Sequence, residues 1–232
     1  MLAAMGADVA VDGLDVTLVP PAALNPLSID IPGDFSSASF LLVAAALVPG
    51  SQVTVEGVNV NPTRTGLLDV LREMGAEIVL SGERIQNNES LAGIVVRSSG
   101  LVATAVGGDT VVRMIDEFPV LAVAATQAQG QSIVRDAREL RVKETDRIAT
   151  VVEELGKMGA EIEPRDDGFV VTGPTLLRGA VVDSHGDHRL AMALAVAGLV
   201  ADGETVVQNA GCIADSFPGF EDVFAKLTDT HG

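Results

Sequence analysis

Tryptophan and tyrosine are absent from this 232-residue chain, and phenylalanine occurs only seven times. Single-stranded nucleic acid is bound on stacking rings, so that class of partner is disfavoured. Positive charge is scarce as well: 15 Lys and Arg stand against 32 Asp and Glu, for a net charge of −17. Such a chain has no global electrostatic footprint for DNA, RNA or an anionic membrane. Cysteine occurs once, at Cys212. An internal disulfide and a zinc site built on several thiolates are therefore excluded, and a reducing cytoplasm is the expected compartment. The longest apolar run, Phe40 to Val48, is far short of the ~20 residues that span a bilayer, and no secretory signal is expected.

What is abundant is aliphatic: hydrophobic residues make up 47% of the chain, chiefly Ala, Val and Leu. That supports a sizeable core of close-packed helix and sheet layers, in one large domain or two small ones. The pattern repeats. Apolar helices at Phe40 to Leu47, Val120 to Ala128 and Leu190 to Val200 each stop at a glycine (Gly50, Gly130, Gly203), and a β-branched strand follows. Alternating with these is a helix end reading Met-Gly-Ala, at Met5, Met74 and Met158, which opens into a strand pair. One such pair turns around Asp166-Asp167-Gly168, a hairpin signal.

The combined unit is helix–strand–helix–strand–strand, within an α/β (α+β) fold. Two units are whole, near Ile29 to Arg97 and Val111 to Thr172. A third starts near Ala180 and ends after the helix-like Phe217 to Leu227, without its strand pair. Met1 to Val19 is an orphan strand pair, expected to dock where the third unit is incomplete. Residues 1–27, with the Pro/Asn-rich linker, are expected to form a remnant of a preceding domain, and 28–232 the domain itself. Thr228 to Gly232 is expected to fray.

Five of the 15 Lys and Arg residues fall between Arg135 and Arg147, so a local cluster is where an anion would be held. Within it, Glu139 to Arg147 reads ELRVKETDR and runs into an amphipathic helix of Ile148, Val151, Val152 and Leu155. Cations at a helix N-terminus oppose the macrodipole. They make sense if an anion is held by Lys143, Arg147 and the free backbone N–H groups together. A solvated ion-pair face is the plainer alternative.

His188 and Arg189 open the third apolar helix, and Arg189 reads as a second anion seat. Asp116 precedes Pro119, taken as the first residue of a helix, and the adjacent pair Asp116-Glu117 lies where a carboxylate pKa can be raised. Asp34 reads as a helix cap, Arg64 as a loop residue at a helix start, and Cys212 as a buried structural thiol. Asp183, His185, Asp187 and His188 could suggest a metal, but no further His is nearby and the two Asp residues can cap the helix, so no metal is expected. Two anion seats plus the carboxylates Asp116 and Glu144 point to group transfer between phosphate- or carboxylate-bearing small molecules.

In order, PGDFSSASFLLVAAA, NPTRTGLLDVLREMGAEI, IDEFPVLAVAA, ELRVKETDR, GDHRLAMALAVAG and SFPGF resemble the C-terminal half of the 5-enolpyruvylshikimate-3-phosphate synthase (3-phosphoshikimate 1-carboxyvinyltransferase) family. The resemblance implies an enolpyruvyl-transferase-like domain of βαβαββ modules around a pseudo-threefold axis. It implies transfer of enolpyruvyl from phosphoenolpyruvate to the 5-hydroxyl of shikimate 3-phosphate, with release of phosphate and without a metal or redox cofactor. By position, Asp116 resembles the proton acceptor, which also binds the shikimate hydroxyls. Glu144 resembles the residue that exchanges the C3 proton, Lys143 a ligand on the shikimate-phosphate side, and Arg147 and Arg189 the phosphoenolpyruvate clamps. His188 lies in the same motif.

Two positions depart from the pattern. Glu139 stands where some members have a substrate-binding Asn, and Asp215 where some have a Lys that contacts phosphoenolpyruvate. The segments that supply the other wall of the site lie in an N-terminal half, so a complementary N-terminal domain is the expected partner and little turnover is expected without it. The alternatives are a non-catalytic module that binds a partner domain or small anions, and a UDP-sugar enolpyruvyl transferase.

Overall fold

The computed structural model describes residues 1–228. The chain opens with a 3-10 turn, Ala3–Met5, and the strands β1 (Asp8–Asp12) and β2 (Asp15–Val19). The first module is α1 (Phe35–Leu47), β3 (Gln52–Asn59), α2 (Gly66–Glu73), β4 (Glu77–Gln86) and β5 (Glu89–Arg97). The second is β6 (Ala105–Val106), α3 (Asp109–Arg113), α4 (Phe118–Gln127), β7 (Gly130–Val134), a 3-10 turn (Arg138–Val142), α5 (Arg147–Lys157), β8 (Glu161–Arg165) and β9 (Gly168–Gly173). The third is β10 (Val181–Asp183), α6 (His188–Leu199), β11 (Val206–Gln208), a 3-10 turn (Ala210–Asp215) and α7 (Phe220–Thr228).

The repeated unit predicted from the sequence is present. In each module a short first strand runs parallel to the next: β6 beside β7, β10 beside β11, and in the first module a single bridge between Gly33 and Val58. The strand pairs β4–β5 and β8–β9 then join antiparallel, giving sheets ordered β3-β5-β4 and β6-β7-β9-β8. The Met-Gly-Ala turns recur because each must reverse through the left-handed region: Gly6, Gly75 and Gly159 have φ of 94°, 94° and 89°.

α1, α4 and α6 are apolar on nearly all sides, and each packs on the other two at the centre of the fold. Small residues such as Ala46, Ala122, Ala124, Ala191 and Ala197 are buried on these helices and let their backbones approach closely. α2 and α5 are amphipathic and lie outside them, α5 burying Ile148, Val151 and Leu155. The N-termini of α1, α4 and α6 are equivalent points of the three modules, which brings residues distant in sequence to one place.

Three details differ from the sequence reading. β1 and β2 pair with each other and with neither β10 nor β11, so the hairpin does not complete the third module. Instead the chain behind it returns to its base, where Asn25 N–H donates to the Met5 carbonyl at 2.8 Å. Pro119 is the second residue of α4, because the helix starts at Phe118. Cys212 is half-buried, its Sγ 3.4 Å from the Asn209 carbonyl. The expected fraying falls mostly on residues 229–232, which lie outside the described residues; Thr228 belongs to α7. No helix among the described residues is long and apolar enough to cross a membrane.

Two glycines test this packing from opposite sides. A Cβ at Gly168 would lie 2.0 Å from the Val134 carbonyl oxygen, whereas one at Gly156 on α5 meets nothing within 4 Å. Gly168→Ala is expected to destabilise the chain by about 2 kcal/mol or more, and Gly156→Ala to stabilise it by up to about 1 kcal/mol. Urea unfolding of the two variants checks both signs.

Candidate active site

The site begins with two capped helices. Asp146 Oδ1 accepts from Ala149 N–H at 3.0 Å at the start of α5. Asp187 Oδ1 accepts from Arg189 N–H at 2.9 Å and Leu190 N–H at 3.4 Å at the start of α6. Each helix thus carries its own carboxylate, which takes the Ala149 N–H at the start of α5 and the Arg189 and Leu190 N–H groups at the start of α6.

Arg147, the first residue of α5, is 1% exposed, and Asp187 is fully buried. Arg147 Nε donates to Asp187 Oδ2 at 2.7 Å, and Nη2 to Asp187 Oδ1 at 3.3 Å. The rest of the fork reaches outward, Nη2 to Glu144 Oε2 at 2.6 Å and Nη1 to Asp116 Oδ1 at 3.4 Å. One buried guanidinium thus fixes three carboxylates. Burial opposes ionisation of Asp187, but the hydrogen bonds and charge of Arg147, with the two backbone N–H groups, outweigh it and hold the carboxyl below its ordinary range.

Asp116, in the turn before α4, is where the cations converge. Besides Arg147, its oxygens lie 3.3 Å from Arg189 Nη2, 3.7 Å from Arg64 Nη2 and 3.9 Å from Lys143 Nζ. Lys143 also meets Glu139 at 3.1 Å. The members come from the starts of α2, α4, α5 and α6 and the loop before α5. Each apolar helix has to end its hydrophobic face near the pseudo-threefold axis, so polar residues at those ends meet. Among the described residues Arg64 and Arg189 each pair with one carboxylate and Lys143 with two, whereas all three nitrogens of Arg147 are engaged.

The carboxyl whose pKa is raised in the Asp116-Glu117 pair is Glu117. It is 2% exposed. Burial, only partly offset by a hydrogen bond from Ser36 and the charge of Arg189, raises it from 4.5 to about 7. Ser36 donates its hydroxyl to Glu117 Oε1 and accepts from Arg64 Nη2 at 3.1 Å.

Behind Arg147, the loop carrying Asp187 is anchored by Glu154. This residue accepts from Asp183 N–H at 2.9 Å and from Lys157 Nζ at 2.7 Å, and its Oε1 lies 2.6 Å from His185 Nε2. Glu153, Glu154 and His185 form a group of potential metal-ligand geometry, but the Lys157 ammonium contacts both glutamates.

Of the residues singled out from sequence, Asp116, Glu144, Lys143, Arg147 and Arg189 come together. His188 is half-buried beside them, its pKa lowered by burial and then by the charge of Arg189. Among the described residues, Glu139 touches the cluster only through Lys143. Asp215 is exposed at the end of its 3-10 turn and, among the described residues, joins no ion pair of the cluster. Arg64, Glu117, Ser36 and Asp187 also belong to the geometry; from the sequence Arg64 reads as a loop residue, Glu117 as the neighbour of Asp116 and Asp187 as a cap. The signal available for them was position, since all four stand within a few residues of a helix start.

A family model described as EPSP synthase (3-phosphoshikimate 1-carboxyvinyltransferase) matches residues 1–224. A 3-phosphoshikimate 1-carboxyvinyltransferase of Brevibacillus brevis is 50% identical over 228 residues, covering 98% of this chain and 54% of that protein. One from Roseiflexus castenholzii is 52% identical over 232 residues, covering 99% and 54%. The chain spans about half the length of the curated relatives it matches. Among solved structures, EPSP synthase from Acinetobacter baumannii superposes with a TM-score of 0.93 at 38% identity, over 97% of this chain and 53% of that one. The enolpyruvyl transferase NikO from Streptomyces tendae, at 19% identity and a TM-score of 0.76 over 97% of this chain and 50% of its own, shares the fold.

The raised Glu117 carboxyl links stability to pH. Below pH 4.5 it is neutral whether the chain is folded or unfolded, so its contribution is fully present there. As pH climbs from 4.5 to about 7 the unfolded chain ionises first and that contribution is lost. The loss is about 3 kcal/mol, at about 1.4 kcal/mol per pH unit. Glu117→Gln is expected to remove this slope, read by urea unfolding between pH 4.5 and 8; an unchanged slope would contradict it. Asp187→Ala, which strands the Arg147 charge, is expected to cost about 3–5 kcal/mol in the same assay.

Proposed function

We propose that this chain, which belongs to the EPSP synthase (3-phosphoshikimate 1-carboxyvinyltransferase) family, supplies one wall of an active site that transfers enolpyruvyl from phosphoenolpyruvate to shikimate 3-phosphate. The observation that carries this reading is the pair of carboxylates, Asp116 and Glu144, on one buried guanidinium and beside cations with open donors. The reaction needs that set: a base for a hydroxyl, an acid and base for a carbon, and cations for phosphate and carboxylate groups.

In this reading Asp116 takes the proton of the 5-hydroxyl as its oxygen bonds to C2 of phosphoenolpyruvate, and Glu144 delivers a proton to C3. The tetrahedral intermediate collapses when C3 returns a proton and the C2–O bond to phosphate breaks, releasing phosphate. Arg189 and Lys143 meet the anionic groups, where the fork of an arginine suits a carboxylate or phosphate. Arg147 has its donors on Asp187, Glu144 and Asp116, so its first duty is to hold the two acting carboxylates in register. His188, Glu139 and Asp215 are peripheral.

Residues 1–27 are taken as the remnant of the preceding half, and a complementary N-terminal domain completes the site. The cytoplasm is the compartment assigned, consistent with the single thiol.

A coupled phosphate-release assay tests the proposal. The chain alone is expected to turn over negligibly, and adding the complementary N-terminal half to restore activity. In the restored pair, Asp116→Asn and Glu144→Gln are expected to lower kcat by about 10²-fold or more. Binding of the two halves without any turnover would identify a non-catalytic module instead.

A further inference from the structure

Two buried side chains near the site have no task in the fold. Glu117 occupies the cap position of α4 yet makes no capping hydrogen bond. Ser36 lies in the first turn of α1, whose end is already capped by Asp34 through Ser37 N–H at 2.7 Å. Both are at most 2% exposed. They turn towards each other across 81 residues of chain, and the next atom in line is Arg64 Nη2, 3.1 Å from Ser36 Oγ and 3.7 Å from Asp116 Oδ2. A serine hydroxyl has one hydrogen. Once that is given to Glu117, its lone pairs are left for Arg64. Arg64 is half-exposed, and its Nε and Nη1 have no hydrogen-bond partner among the described residues.

We propose that Arg64 is a further oxyanion-binding residue of this site, and that Glu117, acting through Ser36, is the positioning residue that aims it. The inference deepens the functional reading above and rests on it. An arginine on a surface loop would otherwise spread over many rotamers. Tying one Nη to a hydroxyl that a buried acid holds in place fixes the guanidinium plane while the other nitrogens remain free for a phosphate or carboxylate beside Arg189 and Lys143. Arg189, Asp116 and Arg64 are the charged groups that bear on Glu117.

The test uses the chain itself and inorganic phosphate as the probe. The Nε–H resonance of Arg64, assigned with Arg64→Gln, is followed by NMR while phosphate is added. In the unaltered chain it is expected to be resolved and to shift saturably. Ser36→Ala and Glu117→Ala are expected to move it to the solvent-averaged position and weaken phosphate binding about tenfold, whereas Glu117→Gln, which keeps an acceptor, retains both signals. An Arg64 resonance indifferent to Ser36→Ala and Glu117→Ala in folded variants, or phosphate affinity unaltered by Arg64→Gln, overturns the proposal. The expected NMR pattern without turnover in the reconstituted pair would leave the Arg64 assignment standing and remove the enzymatic reading.

Discussion

The buried pair of Arg147 and Asp187 is the constraint on which the site depends. A guanidinium at 1% exposure is tolerable only with an ion partner and satisfied donors, and Asp187 provides both at 2.7 Å while closing the N-terminus of α6. The pair joins α5 to α6, two modules of the repeat. Because a guanidinium is planar and rigid, fixing its Nε edge on Asp187 also fixes where Nη1 and Nη2 point. Asp116 and Glu144 are held by those two nitrogens, so the spacing of the two carboxylates follows from a bond made behind them.

Although the chain has a net charge of −17, its cations are concentrated at this cluster. Four cationic side chains close on Asp116, whose carboxylate lies between them. Arg147 is spent on these contacts, but Arg64, Lys143 and Arg189 are not, which divides the cations into one that builds the site and three that can meet a ligand. Glu117 adds a carboxyl whose burial favours its neutral form, limiting negative charge near Asp116.

Much of the architecture was legible in the sequence because it rests on local rules. Each Met-Gly-Ala needs a glycine in the left-handed region, and each apolar helix stops before a short strand, so the module and its repetition could be read from spacing. That five of the candidate residues would come together was legible for a related reason: they stand at or near helix starts, and the repeat brings those starts together. The rest depended on long-range partners. That Arg147 is buried follows from Asp187, 40 residues away, and nothing near ELRVKETDR announces it. Which member of Asp116-Glu117 turns inward is set by Ser36 on α1, 81 residues before Glu117. The hairpin of β1 and β2 was expected on the third module, yet its own ladder and the return of Asn25 satisfy it locally.

The central claim, that Arg147 is held by Asp187 as a buried pair and not merely beside it, is tested most directly by a double-mutant cycle in urea unfolding. The variants are Arg147→Met, Asp187→Asn and the two combined. The account predicts a coupling of about 2 kcal/mol or more, with the double variant more stable than Asp187→Asn alone because no charge is stranded. Additive effects, with a coupling below about 0.5 kcal/mol, would contradict it.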